Sequence, residues 1–198
     1  MPTKAALIRQ LTEEVINLKQ SPLYAYRLKN GYQPVMGEGS LDARVVFIGE
    51  APSKKEAETG KPFCGASGKV LEAMLASVGL SREEVYITSV LNDRPPENRD
   101  PSPLEVELYA PFLLRQLAII RPRVIATLGR YSMKVIMETF GLASELKPIG
   151  TLHGQPFEAK TDWGKITILP LYHPAVALYN GSRRSILMED FKILKLLL

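Results

Sequence analysis

The groups of this chain that could do chemistry stand just past runs of strand-forming residues. Glu50 follows Val45-Val46-Phe47-Ile48-Gly49, the stretch from Ser89 to Arg99 follows Val85-Tyr86-Ile87-Thr88, and His173 follows Ile166-Thr167-Ile168-Leu169-Pro170-Leu171-Tyr172. A carboxylate can orient water or offset a developing positive charge, and an imidazole N–H can offset a developing negative one. Taken singly, each has an ordinary reading: Glu50 as a surface glutamate at a strand exit, and His173, one of two histidines, as a surface or capping residue. In a parallel sheet, however, the C-terminal strand ends share one edge, where open α/β sheets place their ligands. Residues far apart in the chain then converge there. Phe63, between Pro62 and Cys64 in a loop rich in glycine and proline, reads by itself as a loop anchor, and Arg183-Arg184 as a solvated helix start.

The elements that must position these groups follow from hydrophobic periodicity. Thr3 is a plausible N-cap for a helix over 3–19, with Leu7, Leu11, Val15 and Leu18 at helical spacing. Residues 20–43 read as irregular, with a turn at Ser21-Pro22-Leu23-Tyr24. The first strand covers 45–49, and a loop follows through Gly65. A helix from Ser67 to Gly79 carries Val70, Leu71, Met74, Leu75 and Val78 on one face, and Gly79 caps it. A second strand over 85–90 leads into a long proline-rich loop at 92–101. Next come a helix over 103–120 with a kink or break at Pro111, a strand over 123–129, a helix over 130–140, a strand over 166–171 and a last helix over 183–198. Strands alternating with helices at this spacing make an α/β fold: a three-layer αβα sandwich with a central, mainly four-stranded parallel sheet.

Composition narrows the class. Length and average globular usage (45% hydrophobic, 23% charged) fit one domain over residues 1–198. A net charge of +4 favours an anionic partner without requiring one. The single cysteine, Cys64, excludes a disulfide framework and cannot by cysteine alone hold an iron–sulfur cluster. No apolar run reaches about 18 residues and no signal-peptide pattern opens the chain, which reads as a cytoplasmic protein that meets no membrane.

Several motifs together carry a resemblance. Gly49-Glu50-Ala51-Pro52 after a strand, then Thr59-Gly60-Lys61-Pro62-Phe63-Cys64-Gly65, resembles the first motif and the uracil-stacking loop of family 4 uracil-DNA glycosylases. The likeness continues through Val85-Tyr86-Ile87-Thr88, Arg94-Pro95-Pro96-Glu97-Asn98-Arg99, Pro111-Phe112-Leu113, Tyr172-His173-Pro174-Ala175-Val176-Ala177-Leu178 and Glu189-Asp190-Phe191. It covers nearly the whole chain, in order.

The resemblance implies hydrolysis of the N-glycosidic bond of a deaminated base in DNA, by base flipping, leaving an abasic site. It places Glu50 and the backbone around it at the motif that positions water, with Ala51, Glu56, Phe63 and Ser89 as the expected base-binding residues. Phe63 falls where the family stacks an aromatic ring on the flipped base, His173 where the family donates to the base's O2, and Glu56 at an acidic position after the first motif. Ser89 stands where the family usually has an asparagine that reads the base edge; Asn92 is one neighbour that could take over. The loop from Ala175 to Arg184, entered through Pro174, would press on DNA, with Leu178 and Tyr179 as candidate wedges and Arg183 and Arg184 as phosphate contacts. No lysine is placed for Schiff-base chemistry, so the expected enzyme is monofunctional. It is further expected to be a monomer, associated with the nucleoid through its DNA substrate.

Family 4 members usually hold a [4Fe–4S] cluster with four cysteines. Leu18, Ser21, Asp93 and Tyr109 occupy those positions here, and the expectation is no cluster and no other cofactor. Two further readings stay open: a DNA-binding homologue with weak or lost catalysis, and a glycosylase for another deaminated base such as hypoxanthine or xanthine.

Overall fold

Val46 and Ile48 enter one apolar layer and Val45 and Phe47 enter another, so successive residues of a single strand pack on opposite sides of the sheet. That period-two alternation, with every position buried, is what a sheet covered on both faces demands. The computed structural model describes residues 2–179 and 181–198.

In chain order the elements are α1 (Lys4–Ile16), α2 (Pro22–Lys29), β1 (Glu38–Gly39), β2 (Val45–Gly49), α3 (Lys54–Thr59), α4 (Ala66–Ser77), β3 (Tyr86–Ser89) and α5 (Pro103–Ile120). There follow β4 (Val124–Leu128), α6 (Arg130–Thr139), α7 (Ile149–Leu152), β5 (Phe157–Thr161), β6 (Gly164–Leu171), α8 (Val176–Tyr179) and α9 (Gly181–Leu197). The sheet order is β1-β3-β2-β4-β6-β5. The inner β3, β2, β4 and β6 are parallel, and β1 and β5 add antiparallel edges. The expected four-stranded parallel core is therefore present inside a six-stranded sheet.

One layer joins α1, α5 and α6 to the sheet through Leu11, Val15, Leu113, Leu117 and Ile136. The other joins α4 and α9 through Leu71, Leu75, Leu187, Phe191 and Leu194, and the Phe47 and Phe191 rings stack 5.8 Å apart.

Three local expectations are corrected. Residues 22–29 are a helix rather than irregular chain, because Ser21 caps it by accepting the Leu23 N–H at 3.1 Å and Pro22 occupies the first turn, where its missing N–H costs nothing. Of the kink or break expected at Pro111 the break is absent, since α5 is one helix through it; a capping box between Ser102 and Glu105 starts it, and seven buried side chains hold it down. Residues 54–59, read as loop, form α3, which Gly60 ends at φ 71°.

The connection from β2 leads to β3 on one side, while that from β4 leads to β6 on the other. A crevice opens between such diverging connections at the C-terminal strand ends. Glu50 follows β2, Arg130 follows β4 and His173 follows β6.

Candidate active site

Glu50, Ala51, Glu56, Phe63 and His173 line one pocket of about 140 Å³ at this crevice. Five residues named from the sequence are thus brought together. Pro52, Ser53, Ser67, Pro95, Asn98 and Arg99 complete its wall.

The Phe63 loop is built to hold one backbone conformation. Phe63 has φ 49°, a left-handed geometry that side-chain-bearing residues rarely adopt. One carboxylate oxygen of Glu56 accepts the Phe63 N–H, and the other accepts the Ser53 N–H at 2.8 Å and the Ser53 hydroxyl. Arg82 donates to the carbonyls of Pro62 and Phe63. Gly68 is needed beneath, since a Cβ there would stand 1.7 Å from the Phe63 carbonyl oxygen. Both oxygens of Glu56 are thereby engaged with the protein itself, so its part is to hold Phe63.

The Phe63 ring lies against Gly49, where a Cβ would meet ring carbons at 2.9 and 3.1 Å and the Ser89 Oγ at 3.1 Å. Ser89 is buried at the end of β3 and is not among the residues lining the pocket. Asn92 is also turned inward: its Nδ2 donates to the Val35 carbonyl at 3.0 Å, and it does not line the pocket either.

The Phe63 and His173 rings are 5.6 Å apart with 30° between their planes. His173 Nδ1 accepts the Ala175 N–H at 3.2 Å. An acceptor at Nδ1 requires the neutral tautomer with its proton on Nε2. Burial, partly opposed by the Glu56 charge, holds the imidazole below its ordinary value of 6.5, so it is neutral at pH 7. Gly129, at φ 98°, lets β4 pass close by; a Cβ there would come within 3.3 Å of the His173 Cβ.

Glu50 is half-buried. Burial first, and then the like charge of Asp100, push its carboxyl above the ordinary 4.5, while Arg130 pulls it back. Arg130 is itself paired with Asp100 at 2.7 Å.

The segment expected as a loop that meets DNA is instead helical over Val176–Tyr179 and again from Gly181; in it Pro174 is buried, Ala175 is half-buried, and Leu178 and Tyr179 are exposed at 46% and 88%. Arg184 is exposed. Arg183 donates to the Tyr172 hydroxyl at 3.0 Å and lies over that ring at 5.0 Å. Asn180, which falls in this stretch of the sequence, lies outside the described residues.

Asn98 and Arg99 are site residues that sequence reasoning did not single out. Asn98, at φ 54°, accepts from Arg94 Nε at 3.1 Å, and Arg99 is paired with the fully buried Glu105. They lie in the Ser89–Arg99 stretch and the Arg94–Arg99 motif that the sequence already offered, but neither was given a role of its own.

Leu18, Ser21, Asp93 and Tyr109 are all buried on the side of β3 where α1, α2 and α5 meet. A cluster of the four-cysteine kind needs thiolate donors. Here there are an aliphatic side chain, a hydroxyl, a phenol and a carboxylate paired with Arg27 at 2.9 Å, and Cys64 lies instead beside Thr59, 3.3 Å from its hydroxyl. The residues present do not fit that group.

The model of the uracil DNA glycosylase superfamily matches residues 36–193. A type-4 uracil-DNA glycosylase of Archaeoglobus fulgidus is 44% identical over 92% of this chain and 88% of its own length. Those of Sulfurisphaera tokodaii and Saccharolobus solfataricus are 42% and 40% identical over 93% of this chain, covering 82% and 83% of their own lengths.

Proposed function

Because the chain belongs to the uracil DNA glycosylase superfamily, we propose that it is a DNA glycosylase of base excision repair. It hydrolyses the bond between uracil and deoxyribose in DNA and leaves an abasic site. The observation that carries this reading is the state of His173: neutral, with Nδ1 occupied by the Ala175 N–H and Nε2–H without a hydrogen-bond partner among the described residues, across from the Phe63 ring.

A base within the stack is out of reach, so the nucleotide is flipped into the pocket, where the Phe63 face replaces its lost neighbours. As the N1–C1′ bond breaks, its electron pair leaves with the base and charge gathers on O2. The Nε2–H of a neutral imidazole stabilises that charge without the cost of a buried cation. The sugar becomes cationic at C1′. The Glu50 carboxylate offsets that charge and accepts a hydrogen bond from the attacking water. Water supplies its oxygen to C1′ and loses a proton to Glu50, and the released base anion takes up a proton from solvent. Leu178 and Tyr179 act as wedges, and Arg183 and Arg184 meet phosphates.

The enzyme works as a single domain without an iron–sulfur cluster, for which the side chains at the four positions are unsuited. Among the described residues, no helix is long and apolar enough to cross a membrane. The placement of Ser89 off the pocket wall supports a looser grip on the base edge than a carboxamide would provide, so other deaminated bases are the second substrates to try.

The test is excision from oligonucleotides carrying uracil, hypoxanthine or xanthine, in single strands and duplexes. Cleavage of the uracil substrates supports the proposal, and binding without cleavage of any of them contradicts it.

A further inference from the structure

At the four positions where the family usually carries cysteines, the polar side chains close on one another. Arg27, from α2, donates through Nη1 to both Asp93 oxygens at 2.9 Å and to the Val15 carbonyl at 3.2 Å, and through Nη2 to the Ile16 carbonyl at the end of α1. Tyr109 Oη, from α5, is 2.5 Å from Asp93 Oδ2 and 2.9 Å from Ser21 Oγ. The phenol has one proton and the carboxylate takes it, so the Ser21 hydroxyl donates to the phenol while accepting the Leu23 N–H. Burial first, and then the Asp93 charge, raise the Tyr109 phenol far above its ordinary value, which keeps it a donor. Arg27, Asp93, Tyr109 and Ser21 are each at most 4% exposed. Leu18, 6% exposed, packs within the same core.

This network grips the segment that forms one wall of the pocket. Asp93 lies between two further anchors. Asn92 exchanges hydrogen bonds with Val35, at 2.7 and 3.0 Å. Arg94 donates to the Tyr26 hydroxyl at 3.0 Å and to Asn98 Oδ1 at 3.1 Å. Pro95, Asn98 and Arg99, immediately beyond, line the pocket. Arg27, Tyr26 and the cap Ser21 all belong to α2 or its first turn, so the helix and the pocket wall are tied at several points.

We propose that the Arg27–Asp93–Tyr109–Ser21 network is a metal-free positioning device that holds residues 95–99 in register with Glu50 and His173. It substitutes a closed set of charge-assisted hydrogen bonds for thiolate–iron bonds. The proposal rests on the glycosylase reading for its catalytic consequence but not for its structural one. A buried pair whose partners are all satisfied is costly to break from one side, because the remaining charge is stranded.

The test uses Asp93→Asn and Tyr109→Phe in the full chain; should Asp93→Asn fail to fold, Tyr109→Phe carries it. Amide hydrogen exchange over residues 92–99 is expected to rise roughly tenfold in either variant, the scale of one lost buried hydrogen bond, with β2 and β4 unchanged. Single-turnover excision should slow while affinity for the oligonucleotide stays the same. Incubation of the wild-type protein with iron and sulfide under reducing conditions should produce no cluster absorbance. Exchange and excision rates at wild-type levels in variants that merely melt earlier would overturn the proposal, as would uptake of a cluster. A wild-type protein that excises nothing would sink the glycosylase reading alone, since exchange still reads the network.

Discussion

The carboxylate of Glu56 accepts the backbone N–H of Phe63 and so fixes an aromatic residue at φ 49° against the Gly49 backbone. The same carboxylate caps α3 through Ser53. One side chain therefore couples a six-residue helix to the ring proposed to stack on the base.

Replacing Glu56 with glutamine keeps the shape but offers only one acceptor oxygen, leaving an amide group facing an N–H. The expected cost is about 1–3 kcal/mol, read as a fall of several degrees in the melting temperature. Single-turnover excision should slow by more than DNA affinity weakens, because the ring loses its fixed pose. Equal losses in rate and affinity would argue against a positioning role.

Much of this was legible in the sequence, for reasons that can be named. The inner strands are short apolar runs that end at loops, and their common edge follows from parallel topology, so Glu50 and His173 could be brought together from the sequence, whereas Phe63 joined them only through the family resemblance. The helix α2 was not legible, since its PLYAYRLK carries too few apolar residues for a stripe and owes its place to Arg27 reaching Asp93. The edge strand β5 pairs with β6 through a half-exposed FEAKT segment that shows no strong alternation. Asn98 and Arg99 could not be assigned to the pocket individually, because a left-handed turn at Asn98 and the local pairing of Arg99 with Glu105 set their positions.

The rate should depend on pH through Glu50. Burial and Asp100 raise its carboxyl above 4.5, and the reaction needs the ionised form. Activity therefore rises with pH along an acidic limb whose midpoint lies above 4.5, and it falls as the carboxylate is protonated. Asp100→Asn removes the like charge and frees Arg130 from its partner, so the limb should move to lower pH. His173, held below 6.5, is already neutral above that value. A profile of kcat/KM against pH checks the shift; a limb that stays in place would exclude Glu50 as its source.

Tyr172 lies between two neighbours. Its ring is 4.4 Å from that of His153, which is paired with Asp190 at 2.9 Å, and Arg183 covers it at 5.0 Å while donating to its hydroxyl. Tyr172→Phe keeps the ring but releases the Arg183 hydrogen bond, so KM for the oligonucleotide should rise a few-fold with kcat unchanged. Arg183→Ala should weaken binding across all sequences and lower the salt slope by about one. An unchanged slope would remove Arg183 from the phosphate contacts.

Gly49 is a further sensitive point, since any Cβ would press on Phe63 and Ser89. Gly49→Ala should slow excision by displacing the ring, and the bulkier Gly49→Val should do so more severely. A wild-type rate in the alanine variant would mean that the ring position is not critical.

The central claim is that the neutral His173 donates to the departing base. Single-turnover excision of uracil from single-stranded and duplex oligonucleotides, wild type beside His173→Ala, tests it most directly. The account predicts measurable excision by the wild type and a fall of roughly a hundredfold or more in the variant, the scale of one lost oxyanion donor, with DNA affinity retained. Equal rates in the two proteins would contradict it.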